Sequence, residues 1–388
     1  MTYLPESRPG PSHKSAALPL TLLYGALIVY ASLFPFTGWR DQGIVPWAYL
    51  WAPLPRYWTR FDVAINLIGY APFGFLLTLT LTRPRRPAVA AALAVAGAAL
   101  LSFSMESLQS YLPVRVASNL DLALNAAGGL LGALCAWTLD RLGVIDRWRR
   151  FRARWFVHDS RGALVLLALW PVGLLFPAPV AFSLGQVYER LEEGAARWLA
   201  DTPFIHWLPL RELPLQPLRP GAEMLCVALG ALAPCLLGYT VAQHRGRRAL
   251  LAAAVLLAGA LVSALSSGLT YGPTYAWSWL SRTVELGLLA AALAAALLLL
   301  LPARACVAAL MVVLAAQAGL LNAAPQSPYF AVTLRSWEQG RFIHFHGLAQ
   351  WVGWLWPYVA FIYLAVSMGR TDDRPATTGQ GAGASGAA

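Results

Sequence analysis

The sequence predicts an all-α fold, a polytopic membrane protein of about ten transmembrane helices, and three observations carry that expectation. Hydrophobic residues make up 58% of the 388 positions, charged residues only 12%, and the mean hydropathy is +0.55. A water-soluble chain of this length needs roughly twice that charge to cover its surface. Apolar runs long enough to cross a bilayer recur along the chain, and the charges gather between them. The same numbers exclude an intrinsically disordered chain, and four cysteines in such a length exclude a disulfide-stapled domain.

Taken in order, the predicted spans are 18–36, 62–82, 87–108, 120–139, 162–180, 221–243, 249–267, 283–301, 303–321 and 351–368. The first is too long for a cleavable leader, and no small-residue cleavage site follows it. Residues 369–388, rich in Gly, Ala and Thr, read as a disordered tail. Cys135, Cys226, Cys235 and Cys306 all fall inside apolar runs, as small buried thiols would.

The formal charge of +11 comes from one lysine and 28 arginines. Because these sit in short segments between apolar runs, membrane topology explains them better than nucleic acid does, and no nucleic-acid partner is expected. With residues 1–17 placed inside, 18 basic and 6 acidic residues fall on the inner face, against 11 basic and 12 acidic outside. Both termini are therefore expected in the cytoplasm, with 141–161 a basic cytoplasmic loop.

Two predicted outer segments are longer than turns. Over 182–199, Leu184, Val187, Tyr188, Leu191, Ala195 and Trp198 recur at helical spacing, with Glu189, Glu192, Glu193 and Arg197 opposite. This reads as an amphipathic helix, lying in the outer interface or packed on the outer loops. The other segment, 322–350, holds Trp337, Glu338, Arg341, His344 and His346. A His-x-His pair can ligate a metal on a strand, but no third ligand is near, and no metal or cofactor site is predicted.

Charges at the rims of apolar spans are costly and mark candidate functional residues. Asp62 and Asn66 open the second span, four apart and so on one helix face. Glu106 and Gln109 close the third, and Asp121 and Asn125 open the fourth, again on shared faces. Arg115 lies in the turn between Ser110 and Asn119. All seven fall at the predicted outer ends of three sequential spans, with Glu106 about 28 Å along its helix. Asp62 and Asp121 suit helix N-termini, where negative charge is favoured, and Ser118 and Asn119 are potential caps. Capping and topology alone are thus the competing account of the aspartates. Glu106 sits at a helix C-terminus, where it needs protonation or a cationic partner, and Arg115 is nearest in sequence. Gly128 and Gly132 offer close helix approach, and Pro72 should kink the second span.

Asn66-Leu-Ile-Gly69-Tyr-Ala-Pro72-Phe-Gly74-Phe, Glu106-Ser-Leu-Gln109, Pro113-Val-Arg115 and Asp121-Leu-Ala-Leu-Asn125-Ala-Ala-Gly128-Gly129-Leu-Leu-Gly132 occur together and in order. In these motifs the chain resembles the VanZ-like family over about residues 20–140. That resemblance implies a four-helix membrane domain, 18–140, and a bacterial envelope protein. It implies a link to teicoplanin, the glycopeptide antibiotic for which the family is known, but supplies no reaction.

A second unit, 162–301, reads either as a degenerate parallel repeat or as chance likeness between Leu/Ala-rich segments, with 303–368 a two-helix addition. Leu175-Phe-Pro177 echoes Leu33-Phe-Pro35, Pro234 echoes Pro72, Glu223 echoes Asp62, and Glu285 echoes Asp121. Three functions stay open. One is an enzyme or binding protein for a membrane lipid or lipid-linked envelope precursor. There Arg115 would grip phosphate or carboxylate by a forked contact and Glu106 would act as acid or base. The others are a lipid-translocating transporter and a non-catalytic envelope scaffold. The cluster carries no His, Cys or serine-nucleophile motif, and nothing in its spacing requires Mg²⁺.

Overall fold

The computed structural model describes residues 17–34, 36–55, 57–82, 86–176, 178, 180–208, 218–324 and 343–372. Among these the protein is all-helical, with one isolated bridge, Phe156 to Ala242. Its helices are α1 (Ala17–Leu33), α2 (Arg60–Thr82), α3 (Pro87–Gln109), α4 (Asn119–Arg141), α5 (Val144–Trp155) and α6 (Arg161–Leu174). They continue with α7 (Tyr188–Leu199), α8 (Pro220–Val241), α9 (Arg245–Tyr271), α10 (Arg282–Leu298), α11 (Ala303–Asn322) and α12 (Ile343–Asp372).

Seven helices, α2, α3, α4, α8, α9, α11 and α12, are long and apolar enough to cross a membrane. The other three predicted spans are shorter helices of 17, 14 and 17 residues, in α1, α6 and α10. At 1.5 Å per residue, α6 is only about 21 Å long. Pro171 lies inside it, and the chain leaves the helix after Leu174. In α10 the last turn tightens over 299–301 ahead of Pro302.

In the first bundle α2 packs against α1, α3 and α4. The α2–α4 contact is backbone on backbone. A Cβ at Gly128 or Gly132 would strike the carbonyls of Leu67 and Ala71 on α2, and one at Gly74 would strike that of Gly129. In membranes such small-residue contacts replace the missing hydrophobic drive between helices. The close approach also carries Asn66 of α2 to Asp121 of α4.

In the second bundle α8 is central, packed against α6, α9, α10 and α11, and most of it is buried. α12 lies on α6 and α11 and reaches α1, where Trp351 Nε1 donates to Tyr30 Oη at 2.9 Å.

The amphipathic helix expected over 182–199 starts only at Tyr188. Residues 182–187 are non-helical and buried inside the second bundle. Phe182 and Gly185 have positive φ, 63° and 102°, which a helix cannot contain. A buried irregular segment needs its backbone groups satisfied, and here side chains do that. Asn322 Oδ1 accepts from the Val187 and Tyr188 amides, both at 3.0 Å. Asn322 Nδ2 and the Tyr358 hydroxyl donate to the Gly185 carbonyl, and Gln317 donates to that of Leu184. On α7 itself, Tyr188, Leu191 and Trp198 are exposed.

The pair His344 and His346 lies in the first turn of α12, so the backbone there is helical rather than a strand; their side chains fall outside the described residues. So do Trp337, Glu338 and Arg341, and of the expected tail all but the last helical residues, ending at Asp372.

Candidate functional site

The ends of α1, α2, α3 and α4 enclose a cavity of about 1140 Å³, and its wall includes Asp62, Asn66, Glu106, Gln109, Arg115, Asp121 and Asn125. Two connecting segments and a contact between α1 and α2 position these residues. Ser118 caps α4 by accepting from the Asp121 amide at 3.3 Å. The segment 36–55 is pinned over the 110–119 turn by Arg40 N to the Tyr111 carbonyl and by Asn119 Nδ2 to the Ala52 carbonyl. Tyr24 of α1 donates to the Gly69 carbonyl at 3.0 Å, beside the gap that Pro72 leaves in the α2 ladder.

The three carboxylates are held differently. Asp62 Oδ2 accepts from the amide and hydroxyl of Thr59, both at 2.8 Å, and the Asp62 amide donates back to Thr59 Oγ1. That reciprocal pattern is a capping box, so helix capping accounts for Asp62 in full. Asp121 Oδ1 accepts from Asn66 Nδ2 at 2.8 Å, across the glycine contact between α2 and α4. Glu106, only 4% exposed, accepts the Ser118 amide on Oε2 at 2.8 Å.

Arg115 is not the ion-pair partner of Glu106. Its NH2 donates to the carbonyls of Ala31 and Phe34, at 3.3 and 3.0 Å, so it caps the C-terminus of α1. The turn explains why. Arg115 is carried across to α1, and the chain returns so that Ser118, as the α4 cap, lies over Glu106. Burial holds the Arg115 guanidinium below its ordinary range, and the nearby Glu106 charge pulls it partly back. Gln109 also ties to α1, through Nε2 to the Ser32 carbonyl at 3.0 Å.

Asn125 forms the floor. Its Nδ2 donates to Ser102 Oγ at 2.9 Å, while its Oδ1 is buried and lacks a hydrogen-bond partner. Tyr70, 6% exposed, brings its hydroxyl to the same level of the cavity beside Ser102. Neither Tyr70 nor Ser102 was singled out from the sequence. Both follow from continuing the expected faces one turn deeper, since Tyr70 is four residues after Asn66 and Ser102 four before Glu106. Around the mouth, Tyr57, Trp58, Val114 and Val116 are exposed.

The floor is thus rich in acceptors. Among the described residues no hydrogen bond reaches Oε1 of Glu106, Oδ2 of Asp121 or Oδ1 of Asn125. Such a surface is satisfied by a group bearing several O–H or N–H donors. A phosphate there would have to rely on Nε and NH1 of Arg115, since NH2 already serves two carbonyls. No group of three or more metal-ligating side chains occurs among the described residues, and the cavity wall offers neither His nor Cys.

No curated protein and no solved structure matches the chain. Residues 5–140, about a third of the sequence and the part that builds the cavity, match the model of the VanZ/LLP1 family. The chain is therefore an α-helical membrane protein that carries a segment of VanZ type.

Proposed function

We propose that this protein sits in the bacterial cytoplasmic membrane and binds an amphiphilic envelope molecule, a lipid or lipid-linked precursor, at the outer face. The head group, bearing hydroxyl or ammonium donors, enters the cavity and meets Glu106, Asp121 and Asn125. The apolar part leaves along Leu27, Ile28, Ile65 and Leu124, which line the same cavity. The single observation that carries this reading is the polar cavity whose wall brings Glu106, Asp121 and Asn125 together, with Asn125 Oδ1 buried there without a hydrogen-bond partner. An unmet buried acceptor costs about 1–3 kcal/mol, which a donor-bearing ligand recovers. The reading stops at binding, because the hydroxyl–carboxylate pair at the wall, Thr59 with Asp62, is taken up in capping α2.

Native mass spectrometry of the detergent-purified protein should find a co-purified amphiphile rich in hydroxyl or amino groups. A protein that carries none, and takes up none on addition of envelope lipids, would count against the proposal. Orientation is tested separately. On a Cys-free background, Val114→Cys should be labelled from outside intact cells, and Asp159→Cys only after permeabilisation. Both side chains are exposed, whereas Ser160 in the same basic loop is 1% exposed and a poor reporter. The reverse pattern would put the cavity on the cytoplasmic side. The family resemblance supplies the cellular assay, teicoplanin tolerance of a deletion strain.

A further inference from the structure

At the opposite end of the molecule α5 joins α4 to α6, and none of its residues is buried. Gly143, with φ +67°, turns the chain out of α4 into it. Its far end is docked: the Gln243 amide donates to the Trp155 carbonyl at 3.1 Å, and Arg247 NH1 donates to that of Arg154. The helix is thus held at both ends, with Trp155 packed on the core of the second bundle under Arg247, while Val144, Trp148 and Phe151 between them are exposed.

That face has a definite chemistry. Val144, Trp148, Phe151 and Trp155 recur at spacings of four and three and form one apolar stripe. Trp148 stacks on Phe151 with centroids 5.5 Å apart, and Phe151 meets Trp155 at 4.9 Å. Trp148 is 56% exposed. Arg147 and Arg154 flank Phe151 on one side, four before and three after it, and Arg152 flanks Trp148 on the other. Arg149, bonded to Asp146 at 3.1 Å, lies with Arg150 on the far face.

α5 sits where α4 ends at Arg141 and α6 begins at Arg161, close to Arg245, Arg247 and Arg248 at the start of α9. These are ends of membrane-crossing helices and of their neighbour α6, so the stripe lies at the level of the lipid head groups. The geometry points to α5 as an interfacial binding surface for anionic phospholipid head groups, with the aromatic stripe among the upper acyl chains and the flanking arginines on the phosphates. Charge selects that occupant, since five arginines face one aspartate within twelve residues.

The test is amide hydrogen exchange over 144–155, on the full-length protein in nanodiscs of phosphatidylcholine alone or of an equimolar mixture with phosphatidylglycerol. Protection should rise in the anionic discs. Each arginine near such a surface contributes about fivefold, so Arg147→Gln with Arg154→Gln should cut the gain by about 25-fold. Arg149→Gln with Arg150→Gln on the far face should change it by about twofold at most. Trp148→Ser should lower protection in both disc types, because it removes the apolar anchor and no charge. Exchange that ignores the lipid, as expected for a surface meant for an acidic protein, overturns the proposal, and so does equal loss from the two arginine pairs.

Discussion

The two bundles treat the same volume in opposite ways. Each has a central helix, α2 packed against α1, α3 and α4, and α8 packed against α6, α9, α10 and also α11. In the second bundle the chain fills the space between them. Phe182 packs 5.8 Å from both Trp170 and Trp279, and an added Cβ at Gly259 or Gly230 would strike Phe182 or its carbonyl. In the first bundle the space is left open and lined with carboxylates and amides. Filling yields stability, whereas a polar hollow in a membrane protein costs stability, and that cost is the physical ground for proposing a ligand there.

That contrast can be broken by cutting back each wall. Phe182→Ala should lower stability by about 3–5 kcal/mol, the usual cost of emptying a filled aromatic site. Leu124→Ala, on the wall of the open cavity, should cost about 1 kcal/mol or less, because that side chain already faces space. Thermal unfolding in detergent measures both. Similar losses would mean that the first bundle is as tightly filled as the second.

A smaller effect sharpens the roles inside the cavity. Arg115→Gln should cost about 1–2 kcal/mol through the bonds to Ala31 and Phe34. Because Arg115 caps α1 and meets Glu106 only through a charge interaction without a bond, its coupling to Glu106→Gln in a double-mutant cycle should be about 1 kcal/mol or less. A large coupling energy would restore the ion pair that the sequence suggested.

The contrast also shows where the sequence was informative. The long spans α2, α3 and α4 were legible because apolar runs of such length have few other uses. The gathering of seven polar side chains was legible too, because i, i+4 spacing fixes a helix face and alternating helix direction brings three such faces to one end. The partner of Arg115 was not legible, since nearness in sequence across a turn says little about direction after it. Residues 182–187 were misread for a different reason. Leu184 and Val187 have helical spacing, but their burial is set by Asn322, Gln317 and Tyr358, more than a hundred residues away. The shortened α6 shows the same limit, because an apolar run fixes burial without fixing helicity.

The central claim is that the open cavity exists for a ligand, and Glu106→Gln tests it most directly. Glutamine keeps the size of Glu106 and can still accept the Ser118 amide, and it cannot carry a negative charge at a helix C-terminus, where the dipole penalty is about 0.3–1 kcal/mol. Its melting temperature should therefore equal that of the wild type or exceed it slightly. Native mass spectra of the two proteins, purified identically, should show the bound amphiphile on the wild type and little or none on Glu106→Gln. Equal occupancy in two equally stable proteins would contradict the account and leave Glu106 a structural residue.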